Sequence, residues 1–172
     1  MGGDTLLVAP GRWYAGKSYL NLYENCLSTA KEIAEVAERY DLTVGLENVE
    51  NKFLLSPREW YQFIEEIGNS HLRIYFDVGN VLREGIGEPA DWIMDLKKRI
   101  CRVHLKDYLI QERKIVPLSK GDVNWPSVVQ ALKKISYDNW LSAELPFPEN
   151  SQQEFFYETC RAIKKIWFGN EN

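Results

Sequence analysis

Short apolar runs alternate along this chain with longer stretches in which apolar residues recur every three or four positions. The runs cover residues 5–9, 43–47, 73–77, 102–105 and 141–145, and each closes on a polar, proline- or glycine-containing turn. Their length and β-branched content predict strands, whereas the intervening periodicity predicts helices. Helices are expected over 18–40, 56–68, 89–99, 125–135 and 152–167. The first carries Leu22, Cys26, Leu27, Ala30, Ile33, Ala34 and Ala37 at helical spacing. Ser56-Pro57-Arg58-Glu59 reads as a helix start, with Ser56 as N-cap, Pro57 at the first helical position and Glu59 closing a capping box. Gly68 suits the residue just past the end of that helix. Residues 83–87 read as a loop, and 108–124 as the longest irregular stretch.

Strands alternating with helices across short turns imply a parallel sheet with helices on its outer face. A closed (β/α) barrel of the TIM type needs eight such units, and only about five are present. The expected fold is therefore a partial barrel, with residues 1–172 forming one domain, the C-terminal portion of a barrel. Its sheet would keep two open edges. Either the N-terminal half of the barrel lies in a longer protein, or the chain pairs its edges in a homo-oligomer; the first is favoured.

The composition narrows the class of partner. The 172 residues are 45% hydrophobic and carry a formal net charge of −4, with acidic and basic residues interspersed. No basic stripe is present to neutralise a phosphate backbone, so a nucleic-acid partner is not expected. No apolar run reaches the roughly 18 residues of a membrane span. Cys26, Cys101 and Cys160 are widely spaced and match neither a disulfide framework nor a paired-cysteine zinc site, which points to a reducing cytoplasm.

Four residues that can ligate a metal stand at or near the ends of four successive strands: Glu47, Asp77, His104 and Glu144. They are separated by 30 (47 to 77), 27 (77 to 104) and 40 (104 to 144) residues, each about one strand-plus-helix unit. In a parallel barrel such residues share one face. Three carboxylates and an imidazole suit Mn²⁺, Mg²⁺ or Co²⁺, with Zn²⁺ also accommodated. Taken singly, each has a plainer explanation: a solvated strand-end Glu, a core His, or an Asp serving turn chemistry. Their shared position favours the metal site. His71, at a helix-to-strand turn, reads as structural, and Cys101 as a small buried hydrophobe. Trp13 and Tyr14 follow the first strand and either wall a pocket, where Trp13 would stack on a bound substrate, or pack at the surface.

The ordered set Pro10-Gly11, Gly45-Leu46-Glu47-Asn48, Asp77-Val78-Gly79-Asn80, Val103-His104-Leu105-Lys106-Asp107, Gly121-Asp122-Val123-Asn124-Trp125 and Ala143-Glu144 resembles the xylose-isomerase-like barrel superfamily. That group includes sugar isomerases, ketose 3-epimerases and hexulose-phosphate isomerases. Tyr137-Asp138-Asn139-Trp140 is similar to the family's Tyr-Asp-Gly-Trp turn. The resemblance implies one divalent metal held by Glu47, Asp77, His104 and Glu144, with Glu47 and Glu144 doubling as an acid/base pair. It further implies isomerisation or 3-epimerisation of a ketose or ketose phosphate through a metal-stabilised enediolate, with Asn80 and Lys106 orienting substrate oxygens. Asn80 stands where many free-ketose epimerases carry histidine, and the Asp-x-Gly-Asn and His-x-Lys-Asp forms look more like the branch acting on phosphorylated sugars. Ser119 replaces the first glycine of the family's Leu-Gly-x-Gly, which puts that turn in question. Two alternatives remain open: an inosose-type dehydratase on the same site, and an inactive truncated barrel acting as a binding subunit. The superfamily's three-zinc DNA-repair endonucleases need many histidines, and this chain has only His71 and His104.

Overall fold

A computed structural model describes residues 2–169. Their elements follow the order β1 (Thr5–Val8), α1 (Tyr19–Arg39), β2 (Thr43–Glu47), α2 (Pro57–Ile67), β3 (Leu72–Asp77), α3 (Val78–Glu84), α4 (Pro89–Leu96), β4 (Ile100–Leu105), β5 (Asp107–Leu109), β6 (Lys114–Val116), α5 (Trp125–Lys134), β7 (Leu141–Ala143) and α6 (Gln152–Phe168). Five strands form a sheet in the order β1-β2-β3-β4-β7, while β5 and β6 make a separate hairpin. The pairs β1–β2, β2–β3 and β4–β7 are parallel. This is the β/α alternation of a partial TIM barrel, as the hydrophobic pattern predicts. The chain divides into two compact units, Met1–Phe76 with Asp95–Arg102, and Asp77–Met94 with Val103–Asn172.

In the first unit, α1 begins at Ser18, whose side chain accepts the Asn21 N–H at 3.2 Å. Of its apolar stripe, Ala30, Ala34 and Ala37 are fully buried; these short side chains at i, i+4 and i+7 let the helix approach the sheet closely. The N-cap at α2 forms as expected, with Ser56 accepting the Glu59 N–H at 3.2 Å, while the reciprocal half of the capping box is replaced by the Ser56 hydroxyl donating to Glu59 Oε2 at 3.2 Å; Gly68 ends the helix in the left-handed region. Tyr19, Tyr23, Phe53 and Phe63 pack as rings with centroids 5.3–6.1 Å apart, contacts that add about 0.5–1.5 kcal/mol per pair beyond burial. His71 is structural, its Nδ1 lying 2.9 Å from the Leu42 carbonyl. Along β1, Leu6 and Leu7 stay 54% and 44% exposed, and a groove of about 320 Å³ runs past Leu6, Val36 and Tyr40. Strand edges of this kind are pairing surfaces.

Three segments differ from the sequence-based expectation. Residues 78–84 form the helix α3, because Asp77 caps its start and Gly85, at φ 65°, its end; Gly79 in the first turn lowers the local helix signal that these caps override. The helix expected over 89–99 stops at Leu96, and Lys97–Arg99 make a tighter turn in which Lys97 takes φ 50°, a value no α-helix accommodates. Strand β4 consequently starts at Ile100.

The third difference lies in the second unit, where the stretch expected to be irregular is organised around one carboxylate. Asp107 is fully buried and accepts hydrogen bonds from the backbone N–H groups of Tyr108, Gly121 and Val123 at 3.0, 3.1 and 3.3 Å, and from Trp125 Nε1 at 3.0 Å. Asp122 reinforces the loop by accepting the Ile110 N–H at 2.7 Å. A Cβ on Gly121 would lie 2.8 Å from Tyr108 N, so glycine is required there. The turn preceding it survives the loss of the family glycine, since Ser119 itself adopts φ 64°. Left-handed backbone costs a non-glycine residue roughly 1–2 kcal/mol. Ser119→Gly is therefore expected to stabilise the fold by about 0.5–1 kcal/mol, after glycine's larger unfolded-state entropy is subtracted. Urea denaturation checks this as a rise in midpoint at constant m; an unchanged or lower midpoint contradicts it.

Candidate active site

The end of β3 builds the first part of the site. Asp77 is completely buried, and its Oδ1 accepts the Asn80 N–H at 2.7 Å as the N-cap of α3. Capping fixes the carboxylate plane and turns Oδ2 towards Lys106, whose Nζ lies 2.9 Å away. Gly79 permits this approach: a Cβ there would stand 2.7 Å from the Lys106 carbonyl oxygen and 2.8 Å from its Cβ. Asn80 completes the contact, with its Oδ1 accepting from Lys106 Nζ at 3.2 Å. The Asp-x-Gly-Asn sequence is thus one device in which cap, close approach and amide partner all act on Lys106.

Strand alternation supplies the rest. His104 and Lys106 are two residues apart at the end of β4 and share a face, while Leu105 between them is buried in the core. Strand β7 pairs with β4 through His104↔Ser142 and Leu105↔Ala143, and the Glu144 N–H extends the ladder to the Leu105 carbonyl at 3.1 Å. That register sets Glu144 Oε2 at 3.1 Å from His104 Nδ1 and 3.0 Å from Lys106 Nζ. His104 Nδ1 is also 3.9 Å from Asp77 Oδ2. Burial alone would push the Lys106 amine towards its neutral form, but Asp77 and Glu144 outweigh it and hold the pKa above the ordinary lysine value. Partial burial raises the Glu144 carboxyl, yet the hydrogen bond and charge of Lys106 prevail and leave it below the usual carboxylate range. Both groups are ionised at neutral pH.

Glu47 ends β2 and is 6% exposed. Glu47, Asp77, His104 and Glu144 each offer one ligand atom, and these atoms lie within 4.8 Å of one another. This is the set expected from strand position. Hard oxygen donors with one imidazole fit a divalent cation. The Lys106 ammonium lies close to two of these carboxylates. Trp13 is not in this group: its N–H donates to the Asn51 carbonyl and its Nε1 to the Lys17 carbonyl, both at 2.9 Å. Sequence reasoning missed the anchoring role of Asp107, although its place directly after Lys106, in a segment rich in Gly and Asp, was the available signal.

A family model described as xylose isomerase-like TIM barrel matches residues 1–165. The chain belongs to that family. A D-tagatose 3-epimerase-like protein superposes with a TM-score of 0.80 at 25% identity, over 98% of this chain and 64% of its own. The D-psicose 3-epimerase of Enterocloster bolteae is 31% identical over 110 residues, 62% of this chain and 35% of the epimerase. An uncharacterized protein of Methanocaldococcus jannaschii, MJ1311, is 29% identical over 151 residues, 82% of this chain and 50% of that protein. The chain thus spans half or less of the length of these curated relatives. Among the described residues no helix is long and apolar enough to cross a membrane.

The packing of Gly79 on Lys106 gives a direct check of how the site is built. Gly79→Ala is expected to cost about 1–3 kcal/mol, the usual range for overpacking, because the methyl group meets backbone rather than the tip of a flexible side chain. Thermal unfolding measures it; a variant as stable as the parent would show that Lys106 is not held against α3 in this way.

Proposed function

We propose that this chain carries the metal-binding face of a ketose or ketose-phosphate 3-epimerase, with Glu144 and Glu47 as its acid/base pair. The observation that carries this reading is the convergence of the four ligand atoms of Glu47, Asp77, His104 and Glu144 within 4.8 Å. Epimerisation removes a proton from a carbon beside a carbonyl and returns it to the opposite face, which calls for two proton-transfer groups. Glu144 suits one of these roles because Lys106 and His104 keep it ionised while its side chain remains 48% exposed. Glu47, on a different strand, is assigned the other. Asp77 is fully buried and engaged in capping, so its role is to hold rather than to transfer. A divalent cation, when bound, supplies Lewis-acid polarisation of the substrate's carbonyl. Lys106 and Asn80 present an ammonium and an amide for substrate oxygens, and the ammonium favours an anionic sugar phosphate. The similarity to 3-epimerases supports inversion as the reaction. Three free cysteines fit a reducing cytoplasm.

A second reading follows from length. The chain spans 50% of MJ1311 and 64% of the epimerase-like structure, and β1 keeps Leu6 and Leu7 exposed. On this reading the five-stranded piece binds metal but turns over only when further β/α units, from the same or a second polypeptide, pair with its open edge.

The test is solvent-deuterium incorporation into a panel of ketoses and ketose phosphates in the presence of Mn²⁺. Incorporation at the carbon beside the carbonyl, with the epimer as product, is expected. Glu144→Gln should reduce it by about 10²–10⁴-fold with little change in KM, since the amide keeps the shape but cannot accept a proton. Exchange at the parental rate in Glu144→Gln would remove the two-carboxylate mechanism. Metal binding without exchange in the parent would favour the second reading.

A further inference from the structure

The unusual feature of the ligand group is a second cation built into it. Lys106 is 5% exposed, and its ammonium lies 2.9 Å from Asp77 Oδ2 and 3.0 Å from Glu144 Oε2. These two residues also belong to the group whose atoms cluster within 4.8 Å. Asp77 Oδ1 is engaged by the Asn80 N–H, which leaves Oδ2, the atom facing Lys106, as the oxygen available to a metal. A divalent ion and the lysine therefore want the same carboxylate oxygens.

We propose that Lys106 is an exchangeable internal counter-cation: it pairs with Asp77 and Glu144 when no metal is present, and is released from them when a divalent ion takes their oxygens. This rests on the metal reading given above and adds to it a positioning residue that sets metal affinity. A buried carboxylate without a partner costs several kcal/mol, so the metal-free fold needs a positive charge beside Asp77. Lysine suits the task better than arginine, because its compact ammonium on a flexible stem can swing between partners, whereas a guanidinium holds carboxylates in a fixed fork. Asn80 Oδ1, 3.2 Å from Nζ, is not one of the clustered ligand atoms. It remains as a tether after release and keeps the ammonium near the site with donors free for a substrate oxygen. The benefit is a fold that survives metal loss, and the cost is weakened metal binding, since the ion must displace one charge and then sit near it.

The test is Mn²⁺ binding by calorimetry together with metal-free thermal stability, on the parent, Lys106→Gln and Lys106→Met. Removing the ammonium should tighten Mn²⁺ binding by about tenfold or more, because the ion no longer has to displace a like charge and then sit near it. The same variants should unfold at lower temperature than the parent without metal and recover most of the loss at saturating Mn²⁺. Unchanged or weaker binding in both variants, with the parent binding, overturns the proposal while leaving the metal reading intact. A variant that stays unfolded even when refolded with saturating Mn²⁺ also overturns it, because the two cations are then not interchangeable. Failure of the parent and of both variants to bind Mn²⁺ removes the metal reading and this inference with it. Binding by the variants but not by the parent supports the exchange in its strongest form.

Discussion

A fully buried carboxylate must be matched by positive charge, and Asp77 imposes that requirement on everything around it. Its charge is met from two directions: the N-terminus of α3, through the Asn80 N–H at 2.7 Å, and the Lys106 ammonium at 2.9 Å. Each arrangement has a sequence cause. The helix start needs Asp at the cap, the lysine needs Gly79 to come close, and strand alternation brings His104 onto the same face as Lys106. Glu144 then joins through the β4–β7 register. Lys106 offsets part of the negative charge of these acidic groups, which helps them crowd together at the end of the sheet.

Asp107 does comparable work on the next residue along, but for the backbone. Its carboxylate gathers three N–H groups and the Trp125 indole, so the long excursion between β4 and α5 is ordered although little of it is regular. Adjacent residues of one strand end thus divide the labour: Lys106 faces the ligand group, and Asp107 secures the loop that follows. The two cannot exchange roles, because successive side chains point to opposite sides of a strand.

The sheet, its parallel sense and the strand-end site were legible in the sequence because they rest on periodicities that survive without tertiary context. The alanine face of α1 and the Ser56 N-cap of α2 belong to the same class. What was not legible depends on contacts distant in sequence or on tolerated strain. The helix α3 carries a glycine in its first turn and is held by caps at both ends. The β5–β6 hairpin hangs on hydrogen bonds that Asp107 accepts from residues 14 to 18 positions away. The turn at Ser119 looked compromised by the missing glycine, yet the serine accepts the left-handed conformation, because the surrounding hydrogen bonds outweigh a local cost of this size. The candidate ligands were visible in residue types and order, and alternation places Lys106 on the face of His104, but the ion pairs of Lys106 with two of the proposed ligands rest on side-chain geometry that the sequence does not show.

On the proposed function, one divalent cation binds each chain through carboxylates and a single imidazole. Titration with Co²⁺, followed by visible absorption, tests it most directly, because the ligand-field bands report both the stoichiometry and the nitrogen and oxygen donors. Bands are expected to saturate at one equivalent, shift in His104→Ala as the only nitrogen ligand is lost, and disappear in Asp77→Asn. No saturable bands in the parent, or bands identical in all three proteins, would contradict it.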